Sequence, residues 1–277
     1  MDGEKGKSVR LMLRRLKTER MKDLPVKTQN VVACPMPEQQ ANAYRAILSD
    51  MKLHRERKEN IPIAVLQRLA NCSLSPVPLF EDVELTDSMI ADSGRLTAFF
   101  RILDDIAARR EKVVVFVQHF DVQAVVARAI RARYGLDHMP GKINGTMAPA
   151  ARQKVVSEFQ NGSPGFDAVV LTGRAAGTGL TLTAANHVVH LERWWNPAVE
   201  DQCSDRVYRI GQTKDVMVHV PLAVFREEVD PADSPFDLTL HQFLERKRSR
   251  SQSVLAPSSS GKGDQEFIES FFGKKAD

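Results

Sequence analysis

The sequence predicts an α/β fold in which a parallel β-sheet carries helices on both faces. Two observations predict it. Short, unbroken apolar runs such as KVVVFVQ (112–118) and DAVVLTG (167–173) have the character of strands buried on both sides. Between such runs lie stretches with apolar residues at helical spacing, and this alternation of strand and helix persists from about residue 93 to 225.

The elements follow in order. NVVACPM (30–36) is a short apolar strand, followed by a helical pattern in EQQANAYRAILSDMK with Ala43, Ile47 and Met51 near period 3.6. A second helix, IPIAVLQRLAN, carries Pro62 in its first turn, where a missing N–H costs nothing. The proline-punctuated SLSPVPLF is a loop. SGRLTAFFRILDDIAARR places Leu96, Phe99, Phe100, Leu103 and Ile106 on one helical face. The strand 112–118 precedes a helix, DVQAVVARAIRARYG, that closes at Gly135. PGKING is strand-like and ends in an Asn144-Gly145 turn; APAARQKVVSEFQNG is a helix stopped at Asn161-Gly162. HVVHLE and DVMVHVPLAV complete the strands. Ligands on parallel sheets sit beyond the carboxyl ends of the strands. The loops after Gln118, Thr172 and Glu192 are therefore the expected working edge.

Composition narrows the classes. The 277 residues suffice for one large or two small domains, and 43% are hydrophobic, enough for a packed core. No run of 18 apolar residues predicts a membrane helix, and MDGEKGKSVR lacks the apolar stretch of a signal peptide. Cys34, Cys72 and Cys203 are odd in number and far apart, so they predict neither a metal site nor a disulfide framework, and a reducing cytoplasm is the expected location. The net charge is +4 and the isoelectric point about 9.0, compatible with a polyanionic partner without requiring one. Arg10, Arg14, Arg15, Lys17, Arg20 and Lys22 crowd a helix-prone run before Pro25, which also fits a solvated helix face. After residue 226, the acidic EEVDPADSPFD leads to a helix, LTLHQFLERKRSRSQ. PSSSGKGD then has linker composition, and the short amphipathic EFIESFFGKKAD closes the chain.

The chemistry concentrates in residues 172–212. In DQCSDRVYRIGQ (201–212), Gln202, Arg206 and Arg209 are spaced i, i+4, i+7 and are expected on one face of a helix. Arginine suits phosphate because its planar fork grips bidentately and keeps its charge. Taken alone, the same segment also fits a surface helix with an Asp205–Arg209 salt bridge. Upstream, Gly173, Gly177 and Gly179 follow a buried strand and allow close backbone approach to a phosphate, or simply a tight turn. Trp194 and Trp195 in WWNP fit core or interface anchors equally.

In this order and spacing, the segments resemble the C-terminal lobe of the Swi/Snf helicase-like ATPases of helicase superfamily two. The resemblance covers roughly residues 8–225. It runs through Leu13–Lys17, Leu24-Pro25 with Lys27, Gln40 and Tyr44, SGRL (93–96), Val115–Gln118, Asn144-Gly145, Arg152 with Phe159, Thr172–Ala184 and Glu192–Gln212. It implies a RecA-like parallel sheet with helices on both faces plus an N-terminal helical protrusion. The division expected is an inter-lobe linker and protrusion (1–92), the second RecA-like lobe (93–225) and a C-terminal helical extension with a flexible tail (226–277).

The resemblance also implies roles. Arg206 and Arg209 correspond to catalytic arginine fingers; Gly177, Gly179, Glu192 and Gln202 lie with the nucleotide; Gln118, His119, Gly145, Thr172 and Arg174 lie near the DNA backbone; Trp195 and Asn196 belong to the element coupling the two. The departures from the family pattern, Thr181 for Asn, Ala176 for the first Gly of a pair and Glu192 for Asp, fall in the loops and not on the arginines. The implied cofactors are ATP and Mg2+, and the implied partner is double-stranded DNA. A complete motor needs a GxxxxGK[ST] loop and a DExx strand. GEKGKS (3–8) has the wrong glycine spacing and no preceding strand, and Asp104-Asp105 lies within a helix. The chain is thus expected to be the C-terminal part of a longer protein, inactive as an ATPase without its N-terminal lobe, which would hold most of the ATP and Mg2+. Further protein partners are allowed. The SPFD…LERKR ending resembles bacterial members, so a bacterial, cytoplasmic, nucleoid-associated protein is expected. Two competing readings stand beside this one. The first is a non-catalytic DNA- or protein-binding module. The second, a dinucleotide-binding enzyme, is disfavoured because GTGL lacks the GxGxxG spacing.

Overall fold

The computed structural model describes residues 24–56, 63–173, 179–227 and 234–253. The basic run 10–22, the 257–264 linker and the 266–277 segment lie outside the described residues, as do Arg174 and Gly177.

Six strands form one parallel sheet: β1 (Lys27–Pro35), β2 (Lys112–Val117), β3 (Gly141–Ile143), β4 (Asp167–Thr172), β5 (His187–His190) and β6 (Val216–Val224). Their spatial order is β1-β6-β5-β2-β4-β3, and every pairing is parallel. The unbroken apolar runs are the interior strands: every residue of β2, β4 and β5 is buried. Eight helices connect or flank them among the described residues: α1 (Glu38–Glu56), α2 (Ile63–Leu74), α3 (Asp87–Ala91), α4 (Gly94–Ala108), α5 (Phe120–Tyr134), α6 (Pro149–Asn161), α7 (Pro197–Ser204) and α8 (Phe236–Ser253).

Strand alternation divides the core into two layers. Val113, Val115 and Val117 face α4 and α5, packing on Phe99, Leu103, Val126 and Ile130. Val114 and Phe116 point the other way, toward Phe159 of α6 and toward Leu182, Cys203 and Val207. Helices therefore cover both faces, as the alternation predicted. This is the RecA-like arrangement.

One expectation changes. The strand at 27–35, read as lying ahead of the lobe, is an edge strand of its sheet, in register with β6 from Lys27↔Val216 to Pro35↔Val224. The helices α1 and α2 join α8 in a third core, where Tyr44, Met51, Leu66 and Leu69 meet Phe236, Leu240 and Leu244. Residues from both ends of the chain thus build one helical layer at the end of β6. Polar side chains lock it to the sheet. Gln40 donates from Nε2 to Cys72 O at 2.8 Å and accepts Gly94 N–H at 2.9 Å. The Tyr44 hydroxyl accepts Phe236 N–H at 2.6 Å. Ser93 caps α4 by accepting Leu96 N–H at 3.1 Å and donates to Leu74 O at 2.7 Å. Arg95 Nε donates to Asp237 Oδ2 at 3.0 Å, a nearly buried pair. The Gln40, Tyr44 and SGRL positions that carried part of the resemblance are therefore the joints of the fold.

Candidate functional site

The expected site residues separate into two groups. The first gathers at the carboxyl edge of the sheet. After β2, Gln118 and His119 turn the chain into α5, and the turn is held by Glu192 from beyond β5. Glu192 Oε2 accepts the Gln118 N–H at 2.7 Å and the His119 N–H at 3.3 Å, and Oε1 pairs with His119 Nδ1 at 2.8 Å. Gln118 Nε2 in turn donates to the Arg193 carbonyl. Both carboxylate oxygens of Glu192, expected beside the nucleotide, are thus engaged with the β2–α5 turn, where they position the residues expected near DNA. The bond to Glu192 is also the main reason the imidazole of His119 titrates above the ordinary histidine value. Its side chain remains 57% exposed, so the ring faces solvent.

Thr172 ends β4, with its Oγ1 buried and unbonded among the described residues. The next residue must be glycine on steric grounds. A Cβ on Gly173 would lie 2.5 Å from Cε2 and Cη2 of Trp194 and closer still to Cζ2. The indole of Trp194 therefore lies against Gly173, with its Nε1 buried and unpartnered among the described residues. Trp195 packs its ring on Phe236, centroids 6.4 Å apart. Asn196 caps α7, its Oδ1 accepting Ala198 N–H at 3.0 Å, with Pro197 at the first helical position. A pocket of about 340 Å³ opens here, lined in part by Gln118, Glu192, Trp194, Trp195, Asn196 and Arg95. Asn144-Gly145 forms an exposed turn after β3, where Asn144 Oδ1 accepts from Thr146 N–H at 3.1 Å.

The second group holds the arginines, and here the structure corrects the sequence. The helix expected over 201–212 ends at Ser204; residues 205–212 form consecutive turns. Gln202, Arg206 and Arg209 therefore do not share one helical face, and Asp205 pairs with Lys27 at 3.4 Å instead of Arg209. The cause is Gln212. Its buried amide donates to Ala185 O at 2.7 Å and Thr183 O at 3.3 Å, while its Oε1 accepts the Thr213 and Lys214 N–H groups at 3.0 Å. These bonds fold the chain back before another helical turn can form. The Arg206 carbonyl accepts Leu182 N–H at 2.9 Å, joining this turn to the segment after the glycine loop. Gly179 adopts φ +72°, a left-handed conformation that favours glycine, and presents its carbonyl to Arg209 Nη1 at 3.1 Å. Gln202 is exposed on α7.

Arg206 is the least satisfied cation of this group. The residue is 8% exposed, and its Nε is buried with no hydrogen-bond partner among the described residues. Burial first, and the like charge of Arg209 second, lower its pKa. A buried guanidinium beside a second arginine, with a donor left open, is a site that favours an anion. Next to it Ile210 stands 71% exposed. Among the described residues no three His, Cys, Asp or Glu side chains converge as metal ligands. No helix among the described residues is long and apolar enough to cross a membrane.

Sequence reasoning missed three residues of this region. Gln212 shapes the arginine turn. Arg193 and Glu200 form a buried, two-pronged ion pair across the WWNPAV segment. Their signal was present as opposite charges seven residues apart flanking that segment.

Comparison with known proteins places these groups in context. Residues 95–211 match the helicase conserved C-terminal domain. The chain is 31% identical over 215 residues to a putative ATP-dependent helicase/translocase, YwqA, of Bacillus subtilis (strain 168), covering 75% of this chain and 23% of that protein. It is 31% identical over 274 residues to the Zorya protein ZorD of Escherichia coli O139:H28, covering 92% of this chain and 24% of that protein. The Sulfolobus solfataricus SWI2/SNF2 ATPase core in complex with dsDNA superposes with a TM-score of 0.67 at 26% identity, covering 94% of this chain and 53% of that one. The chain thus spans about a quarter of the length of these curated relatives.

Proposed function

Because the chain belongs to the Swi/Snf type of helicase-like ATPases as a C-terminal RecA-like lobe, we propose that it serves as the second motor lobe of an ATP-driven translocase on double-stranded DNA. In this reading Arg206 and Arg209 are the arginine fingers, and the lobe hydrolyses no ATP without a partner lobe that holds the phosphates and Mg2+. The observation that carries the proposal is Arg206, buried, beside Arg209 and with an open Nε.

When bound, ATP with Mg2+ supplies the phosphoanhydride to be cleaved. Arg206 and Arg209 donate hydrogen bonds to the phosphoryl oxygens as negative charge builds there, an effect worth ~10³–10⁵ in rate in phosphoryl transfer. Arg209 is tethered to the Gly179 and Leu180 carbonyls at 3.1 and 3.3 Å. Exposed Ile210 gives this turn an apolar contact for the facing lobe. The other group, with Gln118, His119, Gly145 and Thr172 at the strand ends, meets duplex phosphates. Arg174, expected at the duplex, and Gly177, expected at the nucleotide, belong by sequence to the glycine loop that follows Thr172. Trp195 and Asn196, at the strand-end side where α7 begins, couple that group to the arginine turn. Backbone contacts of this kind read no sequence.

Phosphate release tests the proposal. The isolated chain with saturating duplex should give only background turnover, whereas a full-length protein carrying this lobe and an ATP-binding lobe should be stimulated by duplex. Binding of labelled duplexes to the isolated chain should be independent of sequence and fall steeply with salt, because each phosphate contact releases counterions. It should also weaken as pH rises through the raised pKa of His119, which removes a charge from the duplex-facing edge. Turnover by the pure isolated chain, or tight preference for one sequence, rules the proposal out.

A further inference from the structure

We propose that the Arg193–Glu200 ion pair is the positioning element that transmits contact at the duplex-facing edge to the arginine turn; the inference rests on the motor reading above. The two residues bracket the segment that carries Trp195, Asn196 and Pro197. Arg193 Nε donates to Glu200 Oε1 at 2.9 Å and Nη2 to Oε2 at 2.8 Å, with the side chains only 4% and 2% exposed. Glu200 Oε1 also accepts Trp194 N–H at 3.2 Å, and Oε2 accepts Arg248 Nη2 from α8 at 2.9 Å. Four donors therefore saturate one carboxylate; burial would raise its pKa, but the charge and hydrogen bonds of Arg193, with His190 and Arg248, hold it down to about 2.

Arg193 joins the two groups within one residue. Its carbonyl accepts Gln118 Nε2 at the strand ends, while its guanidinium grips α7. From Glu200 the helix runs four more residues to Ser204, and Arg206 follows two later. The fork fixes both distance and direction, as a planar bidentate pair does and a point charge cannot. A shift of the β2–α5 turn against a phosphate must therefore carry α7 with it. Stability alone gives little reason for the pair, because buried ion pairs rarely outperform apolar packing of the same volume.

The test uses the full-length motor. Arg193→Lys keeps the charge and loses the fork. It is expected to lower duplex-stimulated kcat on the order of 10²-fold, the effect of misplacing a catalytic group by about 1 Å, while KM for ATP and duplex affinity hold. Arg193→Met/Glu200→Leu removes both charges together, so no buried charge is stranded; it carries the test if the lysine variant does not fold, with the same loss expected. Arg248→Met removes a donor to Glu200 but leaves the fork, and should lower the melting temperature while retaining duplex stimulation. Stimulation intact in either Arg193 variant overturns the inference. So does equal loss in Arg248→Met, which would mark a general packing effect. A wild-type motor that duplex does not stimulate removes the motor reading first, and this inference with it; a stimulated wild type beside unaffected variants removes this inference alone.

Discussion

Replacing Arg206 with methionine should push the folded lobe and the working motor in opposite directions. In the lobe, the guanidinium is 8% exposed, its Nε donor is open, and it sits near a second cation. An unsatisfied buried donor costs about 1–3 kcal/mol. Methionine keeps most of the apolar stem that arginine packs and removes both the donor and the like-charge repulsion. The local turn stays, since its bonds come from the Arg206 peptide and from Gln212. A net stabilisation of about 1–2 kcal/mol follows, which at about 2–4 °C per kcal/mol raises the melting temperature of the isolated chain by about 2–8 °C. On the proposed motor reading, the same substitution removes a donor to the transferring phosphoryl group and should cost on the order of 10³-fold in kcat, or about 4 kcal/mol of transition-state stabilisation. Nucleotide binding should change far less, because in that reading the arginine reaches the phosphates only when the lobes close. The assays are a circular-dichroism melt of the isolated chain and steady-state phosphate release by the full-length protein. A melting temperature several degrees lower would show that Arg206 holds the turn together. Near-normal hydrolysis would show that it touches no transition state. Either result refutes the reasoning.

Two further outcomes follow from the packing and the charges. Gly173→Ala sets a methyl against the Trp194 indole, whose peptide N–H is tied to Glu200, so the ring has little freedom to withdraw; overpacking of this kind costs about 1–3 kcal/mol, and an unchanged urea midpoint would contradict the contact. Acid should unfold the lobe in two stages. Burial depresses His190 and His219 to about 4 and lowers His187 as well. The unfolded chain therefore binds more protons below the ordinary histidine value near 6.5, and stability falls by up to about 1.4 kcal/mol per pH unit for each such histidine between about pH 6.5 and 4. Glu200, with its folded pKa near 2, then loses its contribution as pH falls further, from the ordinary carboxylate range toward 2. Urea unfolding at pH 8, 6 and 5 measures the first stage, and flat stability across that range would contradict it.

What the sequence disclosed and what it hid divide along the range of the forces involved. β2, β4 and β5 were legible because a strand covered on both faces must be apolar at every position, and each is. The end of α5 before Gly135 and the stop of α6 at Asn161 were legible because helix ends are set by local backbone chemistry. The place of β1 was not, because its partner Val216 lies 189 residues from Lys27 and pairing at that distance leaves no local mark. The helix over 201–212 was misread for the same kind of reason. Its polar residues do repeat at helical spacing, but Gln212 finds acceptors at Thr183 and Ala185, nearly thirty residues back, and the chain turns to reach them. Glu192 showed only its type; that both its oxygens face the β2–α5 turn depends on β5 lying beside β2.

The arrangement of the two groups gives the motor reading its mechanical sense. The strand-end residues Gln118 and His119 and the arginine turn of Arg206 and Arg209 are joined by one stretch of chain, from Glu192, bonded to the β2–α5 turn, to Gln212. Every step along that stretch is fastened. Glu192 holds the β2–α5 turn, Arg193 grips α7 through Glu200, Asn196 caps α7, and Gln212 pins the turn that follows. The arginine side, by contrast, keeps an unfilled donor and an exposed isoleucine. A lobe that only held DNA would need the fastened edge and would gain stability by filling the open one. Rigid transmission ending in an unsatisfied cationic turn is what a lobe requires if its last contacts are made only when a second lobe closes over bound nucleotide.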